Sequence, residues 1–107
     1  MNELENGFSL ADLQAYVQGV ERKRGFQTES AVEKCLLLGE EVGELFKAVR
    51  ATVGLGVDPA SGTRNVATEL ADVLIFVVAI ANRYGVDLED AVRAKAGVNE
   101  TRQWERP

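Results

Sequence analysis

The residues best placed to do chemistry in this 107-residue chain are five acids on two segments. Glu40, Glu41 and Glu44 lie in Leu38-Gly39-Glu40-Glu41-Val42-Gly43-Glu44-Leu45, and Glu69 and Asp72 in Glu69-Leu70-Ala71-Asp72-Val73. Glu41/Glu44 and Glu69/Asp72 are each spaced by three, which on a helix puts both members of a pair on one face, a turn apart. Their apolar neighbours place them at the edge of a core, where mutual repulsion adds to the cost of desolvation. Lys47 offsets only part of this charge. A divalent cation would offset the rest, and a set of carboxylate oxygens suits Mg²⁺ or Mn²⁺, completed by water and substrate phosphates. With no histidine and the single cysteine Cys35, His-dependent triads and His- or Cys-based zinc sites are excluded. The same acids also read as solvated helix charges, and the residue pattern alone leaves both readings open.

The elements that must carry these acids are helices. Ser9-Leu10-Ala11-Asp12 is a capping-box start, after which Leu10, Leu13, Val17 and Val20 keep helical spacing until Gly25. Ser30-Ala31-Val32-Glu33 opens a second helix, with Val32, Cys35, Leu38, Val42, Leu45 and Val49 as its expected core stripe, running to about Arg50. Gly54, Gly56, Pro59 and Gly62 mark a loop over 51–63. A third helix starts near Asn65, carries Val66, Leu70, Val73, Val77 and Ile80 on one stripe, and stops at Gly85 in a left-handed cap. Its run Val73 to Val78 is rich in β-branched residues, but the flanking pattern extends to about twenty residues, too long for a strand. Asp87-Leu88-Glu89-Asp90 opens a fourth helix that should fray near Trp104. The expected fold is therefore all-α, four helices in one domain over 1–107. The second and third helices carry more apolar surface than thin neighbours cover, so at least a homodimer is expected, an oligomeric helical bundle.

Twelve Lys+Arg against seventeen Asp+Glu give a net charge of −5, which argues against a nucleic acid polymer as partner. Disorder is excluded by a 46% hydrophobic content. The longest apolar run, Val73 to Ala81, is too short to span a bilayer, and the first ten residues lack the basic start of a signal peptide. The expectation is a cytoplasmic protein with no membrane contact.

The acidic segments resemble the EExxE…ExxD signature of MazG-like nucleoside triphosphate pyrophosphohydrolases, within the all-α NTP pyrophosphatase superfamily. The likeness covers about residues 10 to 104 in the family's helix order. It implies Mg²⁺-dependent hydrolysis of a nucleoside triphosphate, (d)NTP, to the monophosphate and pyrophosphate, of the kind that removes non-standard or surplus nucleotides. It also implies that Glu41, Glu44, Glu69 and Asp72 hold the metal, with Mn²⁺ as an alternative ion. Glu40 then stands behind the ligands or binds a further ion, and Glu40 and Glu41 are the candidates for handling the attacking water. Lys95, Asn99 and Arg102, spaced to share a helix face, match the family's phosphate-contacting segment. Phe26, in a Gly-aromatic step, matches its base pocket, although the tryptophan common there is absent and the chain's one tryptophan is Trp104. The resemblance implies a nucleotide substrate and a homodimer or homotetramer. Relatives that hydrolyse phosphoribosyl-ATP or dUTP supply an alternative activity, and a non-catalytic helical interaction protein an alternative class.

The remaining residues read more simply. Arg22-Lys23-Arg24 favours the end of a helix through its dipole. Cys35 and Phe76 are expected in the core, and Trp104 against the last helix or a subunit seam. Gly54-Leu55-Gly56 lacks the ending of a phosphate loop.

Overall fold

The computed structural model describes residues 3–56 and 65–102. They form four helices: α1 (Leu10–Arg24), α2 (Ala31–Thr52), α3 (Val66–Arg83) and α4 (Leu88–Thr101), with no strand among the described residues. The all-α expectation holds. Trp104 and residues 57–63 of the expected loop lie outside the described residues.

Each helix starts where a side chain replaces a missing backbone partner. The amide of Asp12 donates to Ser9 Oγ (3.0 Å) and that of Ser9 to Asp12 Oδ2 (2.9 Å), a complete capping box. Ser30 and Glu33 repeat it for α2. The Thr68 amide donates to Asn65 Oδ1 and the Asp90 amide to Asp87 Oδ1. Three helices stop in left-handed turns at glycine, α2 at Gly54 (φ 70°), where the Leu55 amide lies 3.0 Å from the Arg50 carbonyl. After α1, Gly25 (φ 77°) lets the Phe26 amide reach back to the Glu21 carbonyl at 2.8 Å. After α3, the cap is Tyr84 and the left-handed residue Gly85 (φ 63°), with the Val86 amide 2.9 Å from the Ala81 carbonyl. A side chain at any of these glycines would be strained.

The core lies between α1 and α3, where Leu13 and Val17 meet Val78 and Ala79, with Leu4, Tyr16 and Leu88 packed around them. α3 also runs along α2, so it is central, as its apolar composition requires. Here the stripe expected for α2 is corrected. Val32 is 67% exposed, Val49 is half exposed and Cys35 is exposed, while the fully buried positions of α2 are Lys34 and Ala48. At 100° per residue, Val32, Leu36, Phe46 and Val53 share the side opposite Lys34, Glu41 and Ala48, with Gly39 and Gly43 between them. α2 thus has two apolar sides, and only one is covered within the chain. On α3, Leu70 is likewise 52% exposed rather than buried.

α4 packs on α1 and buries no residue of its own. Gln14 holds it at its start. The Gln14 side chain donates to Asn82 Oδ1 (3.0 Å) and to the Val86 carbonyl (2.8 Å) and accepts from the Leu88 amide (3.0 Å).

Candidate active site

α2 and α3 run together along their length, which lets acids far apart in the chain face one another. Glu41 from α2 meets Glu69 and Asp72 from α3, and one carboxylate oxygen from each lies within 4.8 Å of the others. Glu69 is buried, while Glu41 and Asp72 are half-buried. Three negative groups so close raise each other's energy. The Glu41 carboxyl is held above its ordinary value, first by burial and then by Asp72, Glu69, Glu44 and Glu40. Such a donor set, all oxygen, partly dry and mutually repulsive, fits a hard divalent ion. Glu44 stands one turn beyond Glu41, with Oε2 buried and Oε1 4.0 Å from Lys47 Nζ, outside the tight group. Glu40 is exposed beside it.

A second close group of acids, Asp87, Glu89 and Asp90, is fully exposed at the start of α4. Asp87 caps the helix there, and negative charge at a helix N-terminus is favourable, so capping accounts for it.

Asp72 also opens onto a cleft of about 380 Å³ whose walls include Tyr16, Phe26, Phe76 and Ile75 and whose base includes Lys34 and Glu21. Phe76, expected in the core, is instead half-buried on this wall. Phe26 stands 45% exposed at the rim. Asp72 thus belongs both to the acidic group and to the lining of the cleft.

Beneath the cleft lies a network that local sequence patterns do not announce. Glu21 and Lys34 are buried, and Arg83 nearly so. Arg83 grips Glu21 through both terminal nitrogens, at 3.0 and 2.5 Å. It also donates to the carbonyls of Ala79 (2.9 Å), Phe26 (3.0 Å) and Glu29 (2.7 Å). All five guanidinium donors are thereby used, and the connection from α1 to α2 is fixed in place. Lys34 Nζ lies 2.9 Å from Glu29 Oε1 and 3.6 Å from Glu21 Oε2. The only local hint is that Glu21 follows Val17 by four and so falls on the buried stripe of α1.

Lys95 and Asn99 are exposed on α4, and neither is among the residues lining the cleft. Arg102 is the cap of α4, with extended backbone (φ −79°, ψ 141°), so the helical face expected for all three ends at Asn99. Within one chain the fold brings Glu41, Glu69 and Asp72 together and puts Asp72 and Phe26 on one cleft, which Lys95 and Asn99 do not line.

The raised Glu41 carboxyl has a testable consequence. The folded chain keeps that proton over a range where an unfolded chain has lost it, so metal-free stability falls as pH rises from the ordinary glutamate value through the raised one. Bound divalent ion should reverse the trend, since it binds only the deprotonated form. Melting curves in EDTA and in MgCl₂ or MnCl₂ across that range check this. At an ion concentration about a hundred times its Kd, the expected stabilisation is about 2.7 kcal/mol.

The MazG nucleotide pyrophosphohydrolase domain matches residues 27–103, well over half of the chain and including all five acids. The chain belongs to the MazG nucleotide pyrophosphohydrolase family. It is 40% identical over 67 residues to the dATP/dGTP diphosphohydrolase of Cyanophage S-2L, a match covering 63% of this chain and 51% of the phage enzyme. The chain therefore aligns with about half the length of that relative. It is 32% identical over 93 residues to the uncharacterized protein YvdC of Bacillus subtilis (strain 168), covering 79% of this chain and 87% of YvdC. Among the described residues, no helix is long and apolar enough to cross a membrane.

Proposed function

We propose that this chain hydrolyses nucleoside triphosphates, (d)NTPs, to the monophosphate and pyrophosphate, with Mg²⁺ as the ion and Mn²⁺ as its substitute. The observation that carries the reading is the meeting of Glu41, Glu69 and Asp72 within 4.8 Å, with Asp72 also lining the cleft. Glu41, Glu69 and Asp72 would hold the ion, with Glu44 a turn away as the fourth carboxylate. The ion supplies neutralisation of the phosphate oxygens and polarisation of water. Glu40 and Glu41, next to each other on α2, are the groups proposed to orient the attacking water and take its proton. Phe26 and Phe76 offer apolar surface for the base. An acidic protein can take a polyanion this way because the ion inverts the local charge.

Lys95, Asn99 and Arg102 are proposed to reach the phosphates across a subunit seam, since α4 packs on α1 and neither Lys95 nor Asn99 lines the cleft of its own chain. A homodimer or homotetramer is supported by the uncovered apolar sides of α2 and α3, carried by Val32, Leu36, Phe46, Leu70 and Leu74. Contiguous exposed apolar surface of this kind marks interaction sites. The proposed setting is the cytoplasm, with the domain acting on free nucleotides and not on a nucleic acid polymer.

Pyrophosphate release from canonical and modified NTPs and dNTPs, with phosphoribosyl-ATP and dUTP included, tests the reading in Mg²⁺, Mn²⁺ and EDTA. The expected outcome is metal-dependent release with a monophosphate product. No release from any nucleotide would leave a non-catalytic helical protein.

A further inference from the structure

We propose that Lys34 selects the base, making the cleft favour 6-oxopurines such as guanine over adenine; this rests on the reading above that the cleft receives a nucleotide. Lys34 lines the cleft although it is only 5% exposed. Its ammonium is fixed from four sides. Glu29 Oε1 lies at 2.9 Å and Glu21 Oε2 at 3.6 Å, and the ring centres of Phe26 and Phe76 at 5.2 and 5.5 Å. Glu29 is the carboxylate that compensates this buried cation, since Arg83 already holds both oxygens of Glu21. Arg83 has no donor left for a ligand, whereas Lys34 has three N–H groups and one hydrogen-bonded carboxylate, with Glu21 beyond hydrogen-bond distance.

The placement along α2 suits a base. Lys34 precedes Glu41 by seven residues, two turns or a rise of about 10 Å along one face of α2, a span within reach of a single nucleotide. Asp72, Phe26 and Lys34 all line this cleft. An ammonium can only donate. Guanine and hypoxanthine present N7 and O6, two acceptors side by side, whereas adenine presents N7 next to an amino donor that the ammonium would oppose. Lysine bridging N7 and O6 is a common way for proteins to read guanine, and such a pair discriminates by about tenfold to a hundredfold.

The test measures binding of dGMP and dAMP by calorimetry in EDTA, together with kcat/KM for dGTP and dATP in Mg²⁺, for the unaltered protein, Lys34→Met and Lys34→Arg. The expected results are a guanine preference of about tenfold or more, its loss in Lys34→Met, and its retention in Lys34→Arg. Melting curves report whether Lys34→Met folds. If it does not, 7-deaza-dGMP, which lacks the N7 acceptor, should bind the unaltered protein several-fold more weakly than dGMP. Equal binding of dGMP and dAMP, or an equal loss of both in Lys34→Met, would overturn the proposal. A guanine preference without turnover would spare Lys34 and refute the hydrolase reading; turnover without a base preference would do the opposite.

Discussion

Glu41→Gln is expected to reduce pyrophosphate release by at least about a hundredfold, the usual scale for removing one charged group from a transition-state site, and at the same time to raise the melting temperature of the metal-free protein. The two effects share one cause. Glu41 stands among Glu69, Asp72, Glu44 and Glu40, and both burial and those four charges oppose its ionisation. The amide keeps the shape and removes the charge, which relieves the repulsion. The same change takes away an oxygen anion that a divalent ion needs, so the stabilisation by Mg²⁺ should shrink or vanish. Activity assays and melting curves with and without Mg²⁺ read both halves. Turnover that survives unchanged would remove Glu41 from the site, and a fall in metal-free stability would show that its carboxylate serves the fold.

Arg83→Met is expected to destabilise the protein by about 3–5 kcal/mol, the cost of stranding one member of a buried ion pair. That is a large part of a small domain's stability. Glu21 would keep only the more distant Lys34, and the carbonyls of Phe26, Ala79 and Glu29 would each lose a donor. Arg83→Lys should recover little, because an ammonium cannot span both oxygens of Glu21 and reach three carbonyls. Adding Glu21→Gln to Arg83→Met should restore part of the loss, since the uncompensated charge is then gone. Denaturant titration of the two single variants and the double variant measures this coupling. A cost below about 1 kcal/mol would place the network with exposed ion pairs, which contribute little.

The helices and the acids were legible because both are written locally. Ser9/Asp12 and Ser30/Glu33 are reciprocal pairs within four residues, and Glu69/Asp72 is a spacing of three whose geometry follows from the helix itself. The Glu21–Lys34–Arg83 network was not legible. Its members come from three helices, 62 residues separate Glu21 from Arg83, and no residue type among them is unusual. The side of α2 that faces inward was also misplaced, because Val32, Cys35 and Val49 keep the same three-to-four spacing as a core stripe. Periodicity shows that a face is apolar but not which neighbour covers it, and α2 has apolar residues on two opposite sides. For α4, spacing placed Lys95 and Asn99 on one side of a helix but carried no information on where that helix docks.

The turn that ends α1 bears on the thermodynamics of ligand capture. Phe26 follows Gly25 directly, its amide is tied to the Glu21 carbonyl, and its own carbonyl accepts from Arg83. The backbone that carries this half-exposed ring is thus already ordered before anything enters the cleft, so closure on a ligand need not freeze a loop. Ordering costs on that wall are confined to the rotation of one side chain, a small entropic charge against affinity. Association there should resemble docking onto a preformed surface more than folding around a guest.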